Sequence, residues 1–292
     1  MKTLTVTTAG NDSILLGQAP FYLLSFEGYA DTDADTVTIE NIQRDGVTYI
    51  ESFLEPKDIN LIVRLRAGSP TELNELRKQT SRIFSPKNGL LTLLFKDESG
   101  EFTIQAVCEH MPKFGGADQR TDGVFQNVQL SLLAPSPYWQ TTESIEKPLY
   151  AWVPRFTFPN VWGTTTAKTT VFGTKGEAET VENTGGDGAP VLITITGFVD
   201  RPTVTNQTTG EFITLNTTIE AGERVEINTD DNNLTIDLID ELGIHTDIFS
   251  RMSIDSTLFK LAAGENLIEY TAVTQDEFST VSFTYNQLFA GI

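Results

Sequence analysis

The amino-acid sequence predicts a mainly β protein of two domains with one α-helix. The chain has 292 residues, which is more than one compact core usually organises. Short segments of alternating apolar and polar residues recur along it, and only one segment combines helical spacing with signals at both ends. Hydrophobic residues make up 39% of the chain, which is enough to form buried cores and is typical of a globular protein.

The first 135 residues contain strand patterns on both sides of the helix. Asp45-Gly46 and Ser99-Gly100 are turn signals between consecutive patterns, and Pro135 and Pro137 follow the last one. The residues of these patterns alternate between apolar and polar or form short apolar runs. They cover residues 21–26, 37–42, 47–53, 59–66, 90–96, 102–107 and 124–133.

The helix is predicted over about residues 69–84. Ser69 can cap its first turn, Pro70 suits the first helical position, and Glu72 can complete a capping box with Ser69. Pro86 and the Asn88-Gly89 pair end it. One apolar stripe follows at helical spacing, formed by Leu73, Leu76, Ile83 and Phe84.

The second half is rich in threonine and nearly free of helix signals. Its β-like segments are separated by turn clusters and recur about every ten residues, which favours a β-sandwich or jelly roll. The change in composition near residues 135–142 predicts two independently folding domains, 1–138 and 139–292. The predicted strands of the second domain cover residues 191–195, 203–205, 212–215, 224–227, 234–238, 256–261, 267–271 and 280–285.

The charge of the chain argues against a nucleic-acid-binding protein. It has 20 basic and 40 acidic residues, a net charge of −20. Such a surface repels phosphate, whereas nucleic-acid binders normally present a basic patch. We therefore expect weak or no affinity for duplex DNA. Arg77, Lys78 and Arg82 mark the one place where a basic patch would be sought.

Several further features bear on the cellular compartment. Cys108 is the only cysteine, which excludes an intrachain disulfide. Residues 1–6 alternate like a strand and lack the apolar stretch of an export signal. The longest apolar runs are far too short for a membrane span. We expect synthesis in a cytoplasm, without a signal peptide and without membrane insertion.

No catalytic or cofactor-binding residue is predicted. The phosphate-binding and dinucleotide-binding glycine patterns are absent, and so is a Gly-x-Ser-x-Gly elbow. A catalytic triad would need His110 or His245, and neither lies in a supporting motif. Carboxylate pairs cannot be judged from sequence, but a hydrolase would be expected to carry a compact acid/base motif, which is missing.

No metal site is predicted either. Cys108, His110 and His245 are the only soft ligands and do not have a zinc spacing. Asp31, Asp33 and Asp35 begin like a calcium loop, but Thr36 and Ile42 stand where that loop needs glycine and a bidentate glutamate. We interpret this segment as a solvated acidic loop. The cluster Asp230-Asp231-Asn232-Asn233 is interpreted as a turn, with weak calcium binding as the alternative.

An aromatic cluster leaves a second reading open. Sugar-binding β-sandwiches stack aromatic rings on pyranose faces, but burial in a core or an interface is the favoured interpretation because each ring carries a large apolar surface. The residues concerned are Tyr150, Trp152, Phe156, Phe158 and Trp162.

The order of the motifs resembles the siphophage tail-component family, the distal tail proteins of long non-contractile tails. The first half carries residues 21–28, Arg44-Asp45-Gly46, the strand 59–66, the helix 69–84 and a Pro-Tyr-Trp ending at 137–139. In the second half, Ala263 replaces the proline of the family's usual Pro-Gly-x-Asn turn. Its other matching segments are 156–159, 181–187, 189–197, 202–210, 221–229 and 256–266.

This resemblance implies a structural virion protein and not an enzyme. The first domains would form a ring, most simply a homo-hexamer, around a channel that lets DNA pass at the tail tip. The second domains would be galectin-like β-sandwiches that project outward. The expected partners are further copies of the chain, the tail-tube protein, a tail-associated or fibre protein and, in some members, a receptor-binding protein. The family has no catalytic, cofactor-binding or metal-binding residues to transfer.

The strand content is compatible with a ring. Residues 1–135 contain more strand than one small sheet can bury, so a neighbouring subunit should complete some edges or faces. We expect residues 1–140 to form a cyclic oligomer and residues 141–292 to be monomeric. The alternative is a carbohydrate-binding or adhesin module of a phage or cell surface, which would be supported by glycan binding of residues 141–292.

Overall fold

The computed structural model describes residues 2–40, 45–115, 124–149, 152–154, 173–175, 178–275 and 279–292. The chain divides into two compact units. The first consists of Met1–Thr142 together with Leu288–Ile292, and the second of Glu143–Gln287. The whole second unit therefore separates the two stretches of the first. Independent folding of domains 1–138 and 139–292 stays a prediction.

The first unit is built from strands around one helix. The helix is α1 (Pro70–Ile83), and a short 3-10 turn follows at Pro86–Asn88. The strands are β1 (Thr3–Thr7), β2 (Ser13–Leu16), β3 (Phe21–Glu27), β4 (Ala34–Glu40), β5 (Val47–Leu54), β6 (Lys57–Arg66), β7 (Leu91–Lys96), β8 (Glu101–Cys108), β9 (Lys113–Phe114), β10 (Phe125–Ala134) and β11 (Trp139–Thr141).

The second unit consists of strands, with one 3-10 turn at Phe249–Arg251. β27 (Leu288–Phe289) follows it in the chain and belongs to the first unit. The strands of the second unit are β12 (Ile145–Pro148), β13 (Trp152–Pro154), β14 (Gly173–Lys175), β15 (Ala178–Asn183), β16 (Val191–Thr196), β17 (Val199–Asp200), β18 (Thr203–Asn206), β19 (Glu211–Thr214), β20 (Thr218–Ile219), β21 (Arg224–Asn228), β22 (Thr235–Ile239), β23 (His245–Asp247), β24 (Gly264–Thr271), β25 (Thr274–Gln275) and β26 (Thr280–Tyr285).

Antiparallel pairing joins most strands of the first unit into one sheet, in the order β2-β1-β7-β8-β10-β6-β3. β9 pairs with β10, and β11 pairs with both β8 and β27. Side chains alternate across a strand, so every second residue points into the core. The buried residues of β6 show this period: Ile59, Leu61, Val63 and Leu65.

Helix α1 covers this core, as its apolar stripe predicts. Leu73, Leu76 and Ile83 are buried. Ser69 caps the helix by accepting a hydrogen bond from the Glu72 backbone N at 3.2 Å. The predicted capping box is wrong in one detail: the Glu72 carboxylate accepts from the Gly68 backbone N at 2.7 Å. The helix start predicted from Ser69 and Pro70 is confirmed.

The segment Leu288–Ile292 is built into the first unit by backbone contacts. Phe289 pairs with Trp139 in antiparallel register, which places β27 beside β11. Gly291 packs so closely that a Cβ atom there would lie 2.3 Å from the Ala30 carbonyl oxygen. This long-range return has no local signal in the sequence.

Lys57 fixes the same segment from inside the first unit. Its side chain is only 1% exposed, and its Nζ donates a hydrogen bond to the Ala290 carbonyl oxygen at 2.8 Å. It also donates to the Asp31 carbonyl oxygen and to Thr32 Oγ1. Burial lowers the pKa of Lys57, and the nearby Asp31 carboxylate acts in the opposite direction. One ammonium group thus joins residues 31–32 and 290 to the start of β6.

The second unit is a β-sandwich, which confirms the predicted fold class. One sheet has the strand order β12-β26-β16-β21-β22-β23 and the other β15-β24-β18-β19. A small sheet, β20-β17-β25, and the pair β13-β14 accompany them. Both principal sheets contribute to one buried core, the first through Ile193 and Phe283 and the second through Val204 and Tyr270.

One predicted strand of the second half is wrong. Residues 256–261 form no named strand and contribute one isolated bridge, between Leu261 and Ala189. Phe259 and Leu261 are nevertheless buried. The backbone of this segment forms single hydrogen bonds outside a strand ladder, such as the one that the Thr257 N donates to the Phe212 carbonyl oxygen at 2.9 Å. The apolar residues of this segment therefore indicated burial and not strand geometry.

Candidate assembly surfaces

The residues considered for metal or acid/base chemistry do not converge within the described part of the chain. No group of three or more His, Cys, Asp and Glu residues there could hold a metal ion. Cys108 is buried at the end of β8, and burial raises the pKa of its thiol to about 12. His110 lies close by in the first unit, whereas His245 belongs to the second unit, 3.9 Å from Asp237. No helix in the described residues has the length and apolar character needed to cross a membrane.

The acidic segments have structural partners. The Asp31 backbone is held by Lys57, while the side chains of Asp33 and Asp35 are exposed. In the second cluster, Asp230 Oδ1 accepts from the Asn232 backbone N at 3.0 Å, which is a side-chain-stabilised turn. Asp231 forms an ion pair with Lys260. The turn interpretation of residues 230–233 agrees with these contacts.

Buried asparagines in the second unit form hydrogen bonds that join segments far apart in the sequence. Asn183 donates from Nδ2 to the carbonyl oxygens of Asp187 at 2.8 Å and Leu261 at 3.0 Å. Asn206 donates to Asn266 Oδ1 at 3.0 Å, and both side chains are completely buried. These asparagines lie in segments that the sequence analysis matched to the family, but nothing local in the sequence indicated that they bond to distant residues through the core. Their role is to fix the sandwich.

Most of the aromatic residues that suggested carbohydrate binding lie outside the part of the chain that the structure describes. Tyr150, Phe156, Phe158 and Trp162 lie outside the described residues, and so does the whole family-matching segment 156–159. Trp152 lies in β13. The described part of the chain therefore gives this reading no geometric basis.

Strands β4 and β5 form a hairpin that we call the exposed hairpin. All residues of the two strands are exposed, and the two strands form a sheet of their own. Residues directly opposite each other share a face, so the register places Phe53, Val37 and Ile39 on one face and Tyr49 and Leu54 on the other. A bulge between Val37 and Thr38 interrupts the register. Both faces thus carry exposed apolar side chains among polar ones.

Such a hairpin is unusual for a surface that stays in water. Tyr49 is 62% exposed and Ile39 is 56% exposed. An isolated two-stranded sheet is at best marginally stable, and its free edges can pair with another chain. Contiguous apolar surface on a folded protein typically marks an interaction site. The exposed hairpin is therefore the first candidate assembly surface.

The second candidate assembly surface is a basic groove along α1. Arg77, Lys78 and Arg82 line it together with Asn74, Ser81 and Phe114. The Arg77 guanidinium lies over the Phe114 ring, 5.0 Å from its centroid, a cation–π contact that holds the cation in place. Arg82 is 3.6 Å from Asp12, and both side chains are largely exposed. The structure thus brings together the three basic residues named from the sequence.

Two family models match the chain. Residues 13–132 match the phage tail protein RIFT-related domain, and residues 187–289 match the C-terminal domain of the siphovirus-type tail component. The two matches cover most of the first unit and most of the second. A comparison with curated proteins finds no match.

Solved structures share the fold over the full length. The SPP1 Dit protein, described as a paradigm of the hub adsorption apparatus in phages that infect Gram-positive bacteria, is 13% identical, covers 98% of this chain and 99% of its own, and has a TM-score of 0.68. Two chains of the phage P2 baseplate in its activated conformation also match, each over 100% of both chains. The baseplate with calcium gives 10% identity and a TM-score of 0.57, and the baseplate with strontium gives 9% and 0.56.

The solved structures show a common fold, and the family models supply the relationship. Tail-component models match both halves, in the order that the sequence motifs follow. The chain belongs to the siphophage distal tail protein family.

Proposed function

We propose that this chain is a structural subunit of the phage tail tip that assembles into a closed ring, most simply a homo-hexamer. The ring joins the tail-tube protein to a tail-associated or fibre protein and leaves a channel for DNA. It is synthesised in the host cytoplasm, takes part in no catalysis, and offers its β-sandwich to a receptor-binding protein. The observation that carries the proposal is the exposed hairpin, which has apolar side chains on both faces.

A neighbouring copy of the chain explains this hairpin better than solvent does. Burying an apolar side chain such as Tyr49 or Phe53 contributes roughly 1.5–3 kcal/mol relative to leaving it exposed. In a ring each subunit gives its hairpin to one neighbour and receives another, so all subunits gain equally. The solved relatives include a hub protein and baseplate proteins, which supports an assembly of this kind.

The double substitution Tyr49→Ser with Phe53→Ser is expected to abolish ring formation. It removes one aromatic ring from each face of the hairpin and leaves both buried cores intact, so the subunit should stay folded. Light scattering and negative-stain images of the full chain should show rings for the wild type and monomers for the variant.

Leu242→Ser with Ile254→Ser is the matched control. These side chains are 85% and 97% exposed and lie in the second unit, so their replacement should leave the ring unchanged. A wild-type chain that is monomeric should be retested with the tail-tube protein. If it is monomeric even then, the ring proposal is abandoned.

Duplex DNA should bind the full chain weakly at physiological salt, even though DNA is proposed to pass it. Counterion release needs several clustered Lys and Arg residues, and the net charge of −20 opposes the approach of phosphate. Fluorescence anisotropy with a labelled duplex tests this. Submicromolar affinity would reveal a basic DNA-binding patch, and the basic groove with Arg77, Lys78 and Arg82 would be the first place to test for it.

No described residue favours the carbohydrate-binding alternative over the ring, because its aromatic residues lie outside the described ranges or have undescribed side chains. Glycan binding by the second unit is the measurement that would restore it.

A further inference from the structure

We propose that the exposed hairpin of one subunit docks in the basic groove along α1 of the neighbouring subunit. The inference rests on the proposed ring and names the two surfaces that meet in it. Three observations carry it: the charge of the hairpin, the charge and floor of the groove, and the separation of the two surfaces within one chain.

The exposed hairpin and its base are strongly acidic. Between residues 31 and 55, Arg44 is the only basic residue, against seven acidic ones: Asp31, Asp33, Asp35, Glu40, Asp45, Glu51 and Glu55. Asp35 and Glu51 lie on the hairpin face that carries Phe53, Val37 and Ile39, because residues opposite each other in the register share a face. This face therefore combines carboxylates with apolar side chains.

The basic groove has the complementary chemistry. Arg77, Lys78 and Arg82 place three cations on a chain whose net charge is −20. Phe114, partly buried beneath Arg77, gives the groove an apolar floor. Glu75 lines an adjoining depression with Lys78 and Arg82, and Asp12 approaches Arg82 through an exposed ion pair that contributes little stability. An occupant with both carboxylates and apolar side chains would match this lining.

The two surfaces do not satisfy each other within one subunit. No ion pair joins the exposed hairpin to α1 among the described residues, and both strands of the hairpin are exposed. A donor surface and a different acceptor surface on the same chain constitute a heterologous interface, which closes into a ring when the rotation between subunits allows it. Complementary charge also suppresses wrong pairings, since like charges brought together cost several kcal/mol.

Charge reversal and rescue test the pairing in the full chain. The groove variant is Arg77→Glu with Lys78→Glu, and the hairpin variant is Asp35→Lys with Glu51→Lys. Each alone should raise the subunit concentration needed for ring assembly by at least about tenfold, because it sets like charges against each other. The chain carrying all four substitutions should recover assembly to near the wild-type concentration. Lys87→Glu, an exposed change on the 3-10 turn outside the groove, should have no effect.

The outcomes separate this inference from the ring itself. Rings that persist in both reversed variants, while Tyr49→Ser with Phe53→Ser abolishes them, would overturn the pairing and leave the ring proposal standing. Loss of rings without recovery in the fourfold variant, when circular dichroism shows all variants folded, would also overturn the pairing. Submicromolar duplex binding that disappears in the groove variant would assign the groove to nucleic acid instead. A wild type that forms no ring with the tail-tube protein would remove both proposals.

Discussion

Replacing Lys57 with methionine is expected to destabilise the first unit by about 2 kcal/mol. Methionine has a similar length but cannot donate, so the part-buried carbonyl oxygens of Asp31 and Ala290 lose the Nζ donor, and the Ala290 oxygen keeps the Thr32 hydroxyl as a donor. Each buried polar group left without a partner costs about 1–3 kcal/mol. A loss of this size is a large part of the 5–15 kcal/mol that typically stabilises a folded domain. Urea unfolding followed by tryptophan fluorescence should show it, because the buried Trp139 lies in this unit.

Lys87→Met is the matched control for this experiment. Lys87 lies in the same unit, but its side chain is exposed, so its replacement should change the unfolding free energy by less than about 0.5 kcal/mol. Equal urea midpoints for the Lys57 and Lys87 variants would show that the buried ammonium of Lys57 does not stabilise the packing of residues 290–291 in the first unit. Deletion of residues 288–292 should destabilise the first unit more than Lys57→Met does, because it removes the Ala290 acceptor and also the pairing of β27 with β11.

Alanine in place of Gly28 is expected to prevent correct folding of the first unit. Gly28 has a φ of +85°, and a Cβ atom there would lie 1.9 Å from the Asp58 carbonyl oxygen. The obstacle is backbone of β6, which cannot rotate away as a side chain could. We expect a loss of about 4 kcal/mol or more, seen as insoluble protein or as a much lower midpoint of thermal unfolding.

Gly89→Ala separates backbone strain from this collision. Gly89 also has a positive φ, +69°, but nothing lies within 4 Å of the Cβ position. Its ψ is −140°, a combination that is essentially confined to glycine, so its replacement should cost only backbone strain of about 1–3 kcal/mol. If Gly28→Ala and Gly89→Ala lower stability equally, the close approach of residue 28 to β6 is not what requires glycine there.

Local features of the fold were predictable from the sequence because they depend on neighbouring residues. The cap at Ser69 and the turn signal at Asp45-Gly46 each involve residues a few positions apart. The structure confirms the cap, and it pairs the two strands on either side of Asp45-Gly46. The basic groove was also within reach, since Lys78 and Arg82 are four residues apart on a helix and therefore share a face.

Features that depend on distant partners were not predictable in the same way. Val37 and Ile39 alternate as in a half-buried strand, and the structure puts them on one face, yet both are exposed. Alternation reveals which residues share a face and not what covers that face. Residues 288–292 are held in the first unit by the hydrogen bond from Lys57 to Ala290, two residues that are more than two hundred positions apart in the chain. No local sequence pattern predicts a contact between residues so far apart. The strand predicted at 256–261 was wrong for a related reason. Apolar residues indicate that a segment is buried, but they do so for any backbone conformation and not only for a strand.

The return of β27 also changes how the first unit must be produced as a fragment. A fragment of residues 1–140 lacks β27 and the acceptor at Ala290, so its sheet is incomplete beside β11. Residues 1–142 joined to 287–292 by a short flexible linker restore both. This joined fragment is the proper sample for the expectation that the first domain alone forms a ring.

The interrupted first unit also sets an order of events on the ribosome. Residues 288–292 are translated only after all of Glu143–Gln287, so the nascent first unit waits with an open position beside β11 while the sandwich emerges. The sandwich is contiguous in the chain, whereas the first unit is not. A chain that terminates before residue 288 therefore lacks both the strand beside β11 and the Ala290 acceptor of Lys57, so its first unit is never closed.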